Sequence, residues 1–192
     1  MKKTIALTES DFQNAATLLS LDVATIKAVS AVESNGSGFL TNGQPKILFE
    51  GHWFSKLTQG QYDKTHPTLS YPTWTTRYYL GGVAEYSRYN TAKGLNSIAA
   101  MKSASWGKFQ IMGLNFAKAG YASVESFVLD MHKSESLQLN AFVKYLKTTK
   151  LDALLRAKSW VAFAEGNNGP RYAENKYDVR PRQAYNAYSA KK

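Results

Sequence analysis

The sequence predicts a predominantly α-helical α+β domain with one small β-hairpin. Three observations carry this. Apolar residues recur three and four apart through most of the chain, behind Ser, Thr and Asp residues that suit helix N-termini. The Asn-Gly pair Asn42-Gly43 lies between two short apolar runs, which is a hairpin signal. Between about Lys56 and Gly82 no helical period is present.

In chain order, Thr8 is placed to cap a first helix with Phe12, Ala15, Ala16 and Leu19 on one face. Asp22 starts a second, with Val23, Ile26, Val29 and Val32, and Asn35-Gly36-Ser37-Gly38 ends it. Phe39-Leu40 and Lys46-Ile47-Leu48-Phe49 flank the Asn-Gly turn as the arms of the hairpin. The irregular segment that follows is rich in aromatic residues, including Tyr62, Tyr71, Trp74, Tyr78 and Tyr79, so it reads as an ordered surface loop rather than a disordered linker. Ala84 to Met101 reads as one helix or a broken pair, and Ser105 to Ala119 as a further helical stretch stopped at Gly120. Ser123 and Ser134 open two more helices, the second with Leu139, Phe142, Val143 and Leu146 facing inward. Leu151, Leu154 and Leu155 follow, then Trp160 and Phe163. A turn at Gly166-Asn167-Asn168-Gly169-Pro170 precedes a Tyr-rich helix from about Pro181. No internal repeat, low-complexity tract or linker divides the chain, so residues 1–192 are expected to form one domain.

The 192 residues, 44% of them apolar, suffice for a core without covalent staples. The absence of cysteine excludes disulfides, a thiol nucleophile, cysteine zinc sites and Fe–S clusters. The formal charge is +10, and from Lys144 onward eleven bases face four acids, so +7 of it falls in the last quarter. Such a balance favours polyanionic partners, from nucleic acid to phosphate-bearing wall polymers and acidic lipid surfaces. Met1-Lys2-Lys3 is followed by too short an apolar run for a secretory signal, which predicts a product made in the cytoplasm. His52, His66 and His132 lack the spacing of a zinc hydrolase, and no phosphate loop, dinucleotide fingerprint or nucleophile elbow is present.

Two carboxylates draw attention on chemical grounds. Glu33 follows Ile26 by seven residues and Val29 by four, which puts it on an apolar helix face. Partial desolvation there would raise its pKa toward that of a general acid, although most glutamates at helix ends simply face water. Glu50 ends the run Ile47-Leu48-Phe49, with His52 beside it. A strand-end and a helix-end carboxylate together would suit glycoside hydrolysis; alone, Glu50 reads equally as a surface or ion-paired residue. In Ser103 to Gly113, Gly107 permits close backbone approach and Gln110 offers an amide to a sugar, while a core helix start explains the same residues.

The order of these segments resembles a known family. Ala31-Val32-Glu33-Ser34-Asn35-Gly36, then Ser105-Trp106-Gly107-Lys108-Phe109-Gln110-Ile111-Met112, then Asn167-Asn168-Gly169 is similar to the three-part signature of the lysozyme-like superfamily, as in goose-type lysozymes and soluble lytic transglycosylases. The runs from Val32 to Leu40, Pro45 to Phe54 and Ser103 to Gly113 more closely resemble the N-acetylmuramidase domain of phage and prophage endolysins. Glu85-Tyr86-Ser87-Arg88, Gly120-Tyr121 and Tyr177-Asp178 match further stretches of it. The loop has Asn167-Asn168-Gly169 where a Tyr-Asn-Gly type is commoner, and the additional small wall-binding domain that many relatives carry is not expected here.

The resemblance implies a lysozyme-like fold with the hairpin beside an active-site cleft, and hydrolysis of the β-1,4 bond between N-acetylmuramic acid and N-acetylglucosamine in peptidoglycan. It implies Glu33 as general acid and Glu50 as second carboxylate. Ser105, Gln110, Asn167 and Asn168 become expected substrate binders, and Trp74, Tyr78 and Tyr79 expected sugar-stacking rings. No metal or cofactor is called for, and a monomer without nucleic-acid partners is expected. The basic residues would attract the anionic wall or outer membrane, and release from the host cytoplasm would need a pore. Two other functions stay open on the residues: a lytic transglycosylase on the same fold, and a non-enzymatic basic module that binds wall polymer or nucleic acid.

Overall fold

The structure, a computed structural model, describes residues 6–34, 36–168 and 179–190; for Glu33, Ser34 and Asn168 it describes the backbone alone. Helix α1 (Glu9–Leu19) starts with a capping box, in which Thr8 Oγ1 accepts from Asp11 N and Asp11 Oδ2 accepts from Thr8 N. Helix α2 (Val23–Ser34) follows Asp22, whose carboxylate accepts from Thr25 N at 2.8 Å. Ile26, Val29 and Val32 are buried, as their spacing predicts.

The expected hairpin is present but short. Lys46 N donates to Gly38 O, Phe39 bridges Pro45 and Leu40 N donates to Gln44 O, around Gly43 at φ +82°. Pro45 has no N–H with which to extend the ladder. The sheet is therefore built elsewhere. Strand β1 (Ile47–Phe49) pairs antiparallel with β2 (Ala104–Trp106), with Leu48 opposite Ser105, and β2 pairs with β3 (Ile111–Met112). The stretch from Ser105 to Ala119 is thus not helical as expected. Positive φ at Gly107 (+70°) and Gln110 (+46°) turns the chain back on itself. A Cβ at Gly107 would lie 2.6 Å from Gln138 Cδ, so only glycine fits where the turn meets that side chain.

Helix α3 (Gly51–Leu57), which the periodicity did not reveal, follows β1 directly. Residues 58–81 form the irregular loop, held by Asp63, which accepts from Ser55 Oγ at 3.0 Å and Ser70 Oγ at 2.5 Å. The region from Ala84 to Met101 resolves as a broken pair, α4 (Glu85–Leu95) and α5 (Ser97–Lys102), with Asn96 capping the second. Helices α6 (Val124–Met131) and α7 (Glu135–Thr149) are capped by Ser123 and Ser134 as predicted. Then come α8 (Leu151–Arg156), α9 (Trp160–Asn168) and α10 (Arg180–Ser189), with Pro181 in the first turn of α10 and α10 packed on α2. Gly166 and Asn167 belong to α9 rather than to a turn, and Gly166 lets the helix approach Leu151. Gly169 and Pro170 lie outside the described residues.

Trp106, fully buried, sits where sheet and helices meet. Its ring stands edge-on to Tyr89 at 5.2 Å and its Nε1 donates to Met101 O. Phe49, Phe54, Phe127 and Phe163 fill the core on either side.

Candidate active site

Both ends of β1 are fastened. At one end Gly107 N donates to Lys46 O at 2.8 Å; at the other Glu50 N donates to Ser103 O at 2.9 Å. Glu50 thus leaves the strand at a fixed point and opens α3. Its Oε2 accepts from the Tyr79 hydroxyl at 2.5 Å and lies 3.3 Å from His52 Nδ1, with the carboxylate 14% exposed. Burial, followed by the hydrogen bond to Glu50 and its charge, raises the Tyr79 phenol far above its ordinary range. Tyr79 therefore stays protonated and donates, and Glu50 accepts.

Position 33 lies in the last turn of α2, one and two turns beyond the buried Val29 and Ile26. The chain just after it is held by a buried ion pair. Lys108 Nζ donates to Gly36 O at 2.7 Å and lies 3.3 Å from Glu135 Oε2, while Glu135 Oε1 accepts from Gly38 N at 2.6 Å and Ser37 Oγ at 3.2 Å. Gln138, also buried, accepts from Lys108 N and donates to Met131 O. Burial, then the Lys108 charge, pulls the Lys46 ammonium below its ordinary range, with Glu135 opposing. A cleft of about 630 Å³ lies between this end of α2 and α1, lined by Leu7, Phe12, Lys27, Ser37, Lys108 and Glu135 among others; Glu50, Tyr79 and Gln110 are not in its lining.

The structure brings only some of the expected residues together. Tyr79 reaches Glu50 through its hydroxyl, so its first role is as a hydrogen-bond donor rather than a stacking platform. Tyr78 packs on Tyr71 at 5.2 Å under the Arg77 guanidinium, and Trp74 is 41% exposed. Ser105 is buried and donates to Met112 Sδ at 3.0 Å. The Gln110 amide nitrogen donates to Gly107 O at 2.7 Å and to Lys46 O at 3.4 Å, which braces the turn. Asn167 stands half-buried on α9. The side chains of Glu33 and Asn168 lie outside the described residues. Among the described residues no cluster of three His, Asp or Glu could hold a metal ion.

Sequence reasoning gave no role to Lys108, Glu135, Glu85 or Arg88. A charged pair three apart on a helix, such as Glu85 and Arg88, reads as solvated. Only the long-range partners of these residues reveal that they are buried.

A helical body around a small antiparallel sheet, with one carboxylate position ending a helix and another ending a strand, defines a lysozyme-like α+β protein. The chain belongs to the N-acetylmuramidase family, whose model matches residues 22–189. It is similar to the crystal structure of a Burkholderia AP3 phage endolysin, with a TM-score of 0.91 and 40% identity over 100% of this chain and 74% of that one. Among curated proteins it matches Contactin-5 of Rattus norvegicus (31% identity) and of Mus musculus (30%), each over 140 residues and 69% of this chain. The chain spans 12% of the length of these curated relatives.

Proposed function

We propose that the chain degrades peptidoglycan as a phage endolysin, hydrolysing the β-1,4 bond between N-acetylmuramic acid and N-acetylglucosamine. The observation that carries this reading is Glu50, a largely enclosed carboxylate held as an acceptor by a protonated tyrosine, directly after β1 of the sheet whose β2–β3 turn grips the chain after α2. Membership of the N-acetylmuramidase family and likeness to a phage endolysin support it.

Glu33 acts as the general acid and delivers its proton to the glycosidic oxygen as the bond breaks. Glu50, ionised, faces the positive charge that develops at the anomeric carbon and either takes the proton of the attacking water or forms a glycosyl-enzyme ester. Ser105, Gln110, Trp74, Tyr78, Asn167 and Asn168 are proposed to contact sugars. The enzyme acts as a monomer without cofactor, and reaches the wall from the host cytoplasm. Lys144, Lys147, Lys150 and Arg182, all exposed, draw it to the anionic wall.

The test is digestion of purified peptidoglycan by wild type, Glu33→Gln and Glu50→Gln, with products read by mass spectrometry. Reducing muramic acid ends that have gained water, lost in Glu33→Gln and strongly reduced in Glu50→Gln, are expected. Anhydro-muramic ends would make the reaction a transglycosylation, and no cleavage by wild type would overturn the reading.

A further inference from the structure

Glu85 is fully buried, and each of its oxygens serves a different segment. Oε1 accepts from Phe49 N at 3.2 Å and from Arg88 Nη1; Oε2 accepts from Leu80 N at 2.8 Å and Gly81 N at 3.1 Å. Arg88 is 6% exposed. It donates through Nη1 to Phe49 O at 3.0 Å and through Nη2 to Thr68 O and the Tyr71 hydroxyl, and its guanidinium lies 5.7 Å from the Tyr79 ring centre. The pair therefore holds both backbone groups of Phe49, the residue before Glu50, and the backbone amide just after Tyr79.

A buried ion pair is a poor way to gain stability, since well-packed apolar residues commonly do as well or better. This one also leaves Arg88 Nε buried without a hydrogen-bond partner among the described residues. Its arrangement is instead suited to fixing two chain segments at a set separation. That separation is spanned by one contact of chemical consequence, the 2.5 Å hydrogen bond from Tyr79 to Glu50.

We infer that Glu85 and Arg88 are positioning residues for the reaction: they hold β1 and the 58–81 loop so that Tyr79 keeps the Glu50 carboxylate fixed at the end of β1. The inference rests on the proposed role of Glu50. Neither residue touches substrate; both act through Phe49, Tyr79 and Leu80.

The experiment measures kcat and KM on a soluble N-acetylglucosamine–N-acetylmuramic acid oligosaccharide. The variants are Glu85→Gln, Arg88→Lys, Tyr79→Phe, the double Glu85→Gln/Tyr79→Phe, Glu50→Gln and, as a stability control in the helical core, Leu155→Ala. All are assayed below their unfolding temperatures. Glu85→Gln and Arg88→Lys are expected to lower kcat about tenfold or more with KM within about twofold, and the double variant to fall little below its worse parent. Leu155→Ala is expected to lose stability while keeping kcat. If Glu85→Gln does not fold, Arg88→Lys, which keeps the charge, carries the test. The proposal fails if the losses only follow the unfolded fraction, as in the control, or multiply with that of Tyr79→Phe. Full activity in Glu50→Gln would instead remove the reading of Glu50, and the proposal with it.

Discussion

Lys108 Nζ donates to the carbonyl of Gly36 at 2.7 Å, which ties the turn between β2 and β3 to the chain leaving α2. One ammonium thus joins the segment after Glu33 to the sheet that ends in Glu50, and Glu135 compensates its charge from α7.

Replacing Lys108 by Met leaves Glu135 buried without its cation. Breaking such a pair costs about 3–5 kcal/mol, which urea unfolding followed by tryptophan fluorescence reads directly. Adding Glu135→Leu is expected not to restore stability, because Gly38 N and Leu7 N would lose their acceptor. Recovery in the double variant would show that the pair matters only for charge balance.

Gly38→Ala tests how closely the same corner is packed. A Cβ there would press on Gln138 Oε1 and lie 2.9 Å from the backbone nitrogen of Lys108. Backbone cannot yield as a side-chain tip can, so a loss of about 1–3 kcal/mol is expected. At Gly36 a Cβ would meet no atom of the described residues within 4 Å, and there the cost of alanine comes from φ +106°. A neutral Gly38→Ala in thermal unfolding would refute the close packing.

Alkaline stability follows from the buried phenols. Burial raises Tyr89 to about 12 and Tyr86 higher still, against an ordinary value of 10.0. Above pH 10 the unfolded chain gives up these protons while the folded one keeps them. The unfolded state then binds fewer protons, so stability falls with pH, by about 1.4 kcal/mol per pH unit for each such tyrosine. The effect is absent below pH 9 and grows between pH 10 and 12. Urea midpoints across that range check it, and Tyr89→Phe is expected to flatten the decline.

Wall attraction by the basic surface predicts a salt dependence. Binding to purified walls by an inactive Glu33→Gln protein should weaken as salt rises. Lys147→Glu with Arg182→Glu should weaken it about tenfold further at low ionic strength and make no difference near 1 M salt. Affinity indifferent to salt in a sedimentation assay would refute the electrostatic role.

The helices were legible because their signals are local: Thr8, Ser123 and Ser134 cap as expected, and the spacing of Ile26, Val29 and Val32 matches their burial. The sheet was not. Leu48 finds Ser105 fifty-seven positions along the chain, and no periodicity in three-residue strands announces such a pairing. Residues 105–119 have helix-compatible spacing, but Gly107 and Gln110 adopt left-handed conformations that tertiary contact selects. Glu50 was singled out from its place at a strand end, whereas its hydrogen-bond partner Tyr79 was read as a sugar platform, because a phenol presents the same ring whether its hydroxyl meets substrate or protein. Glu85 and Arg88 stood in the sequence only as part of a family resemblance.

The loop of residues 58–81 owes its order to a few anchors rather than to a ladder: Asp63 grips it near its start, and Glu85 and Arg88 hold its far end. Residues 72–77, with Trp74 41% exposed, lie between these anchors. Changes of length or composition there would leave Glu50 where it is. If Trp74 contacts sugar as proposed, evolution can retune that contact while the residues behind it stand still.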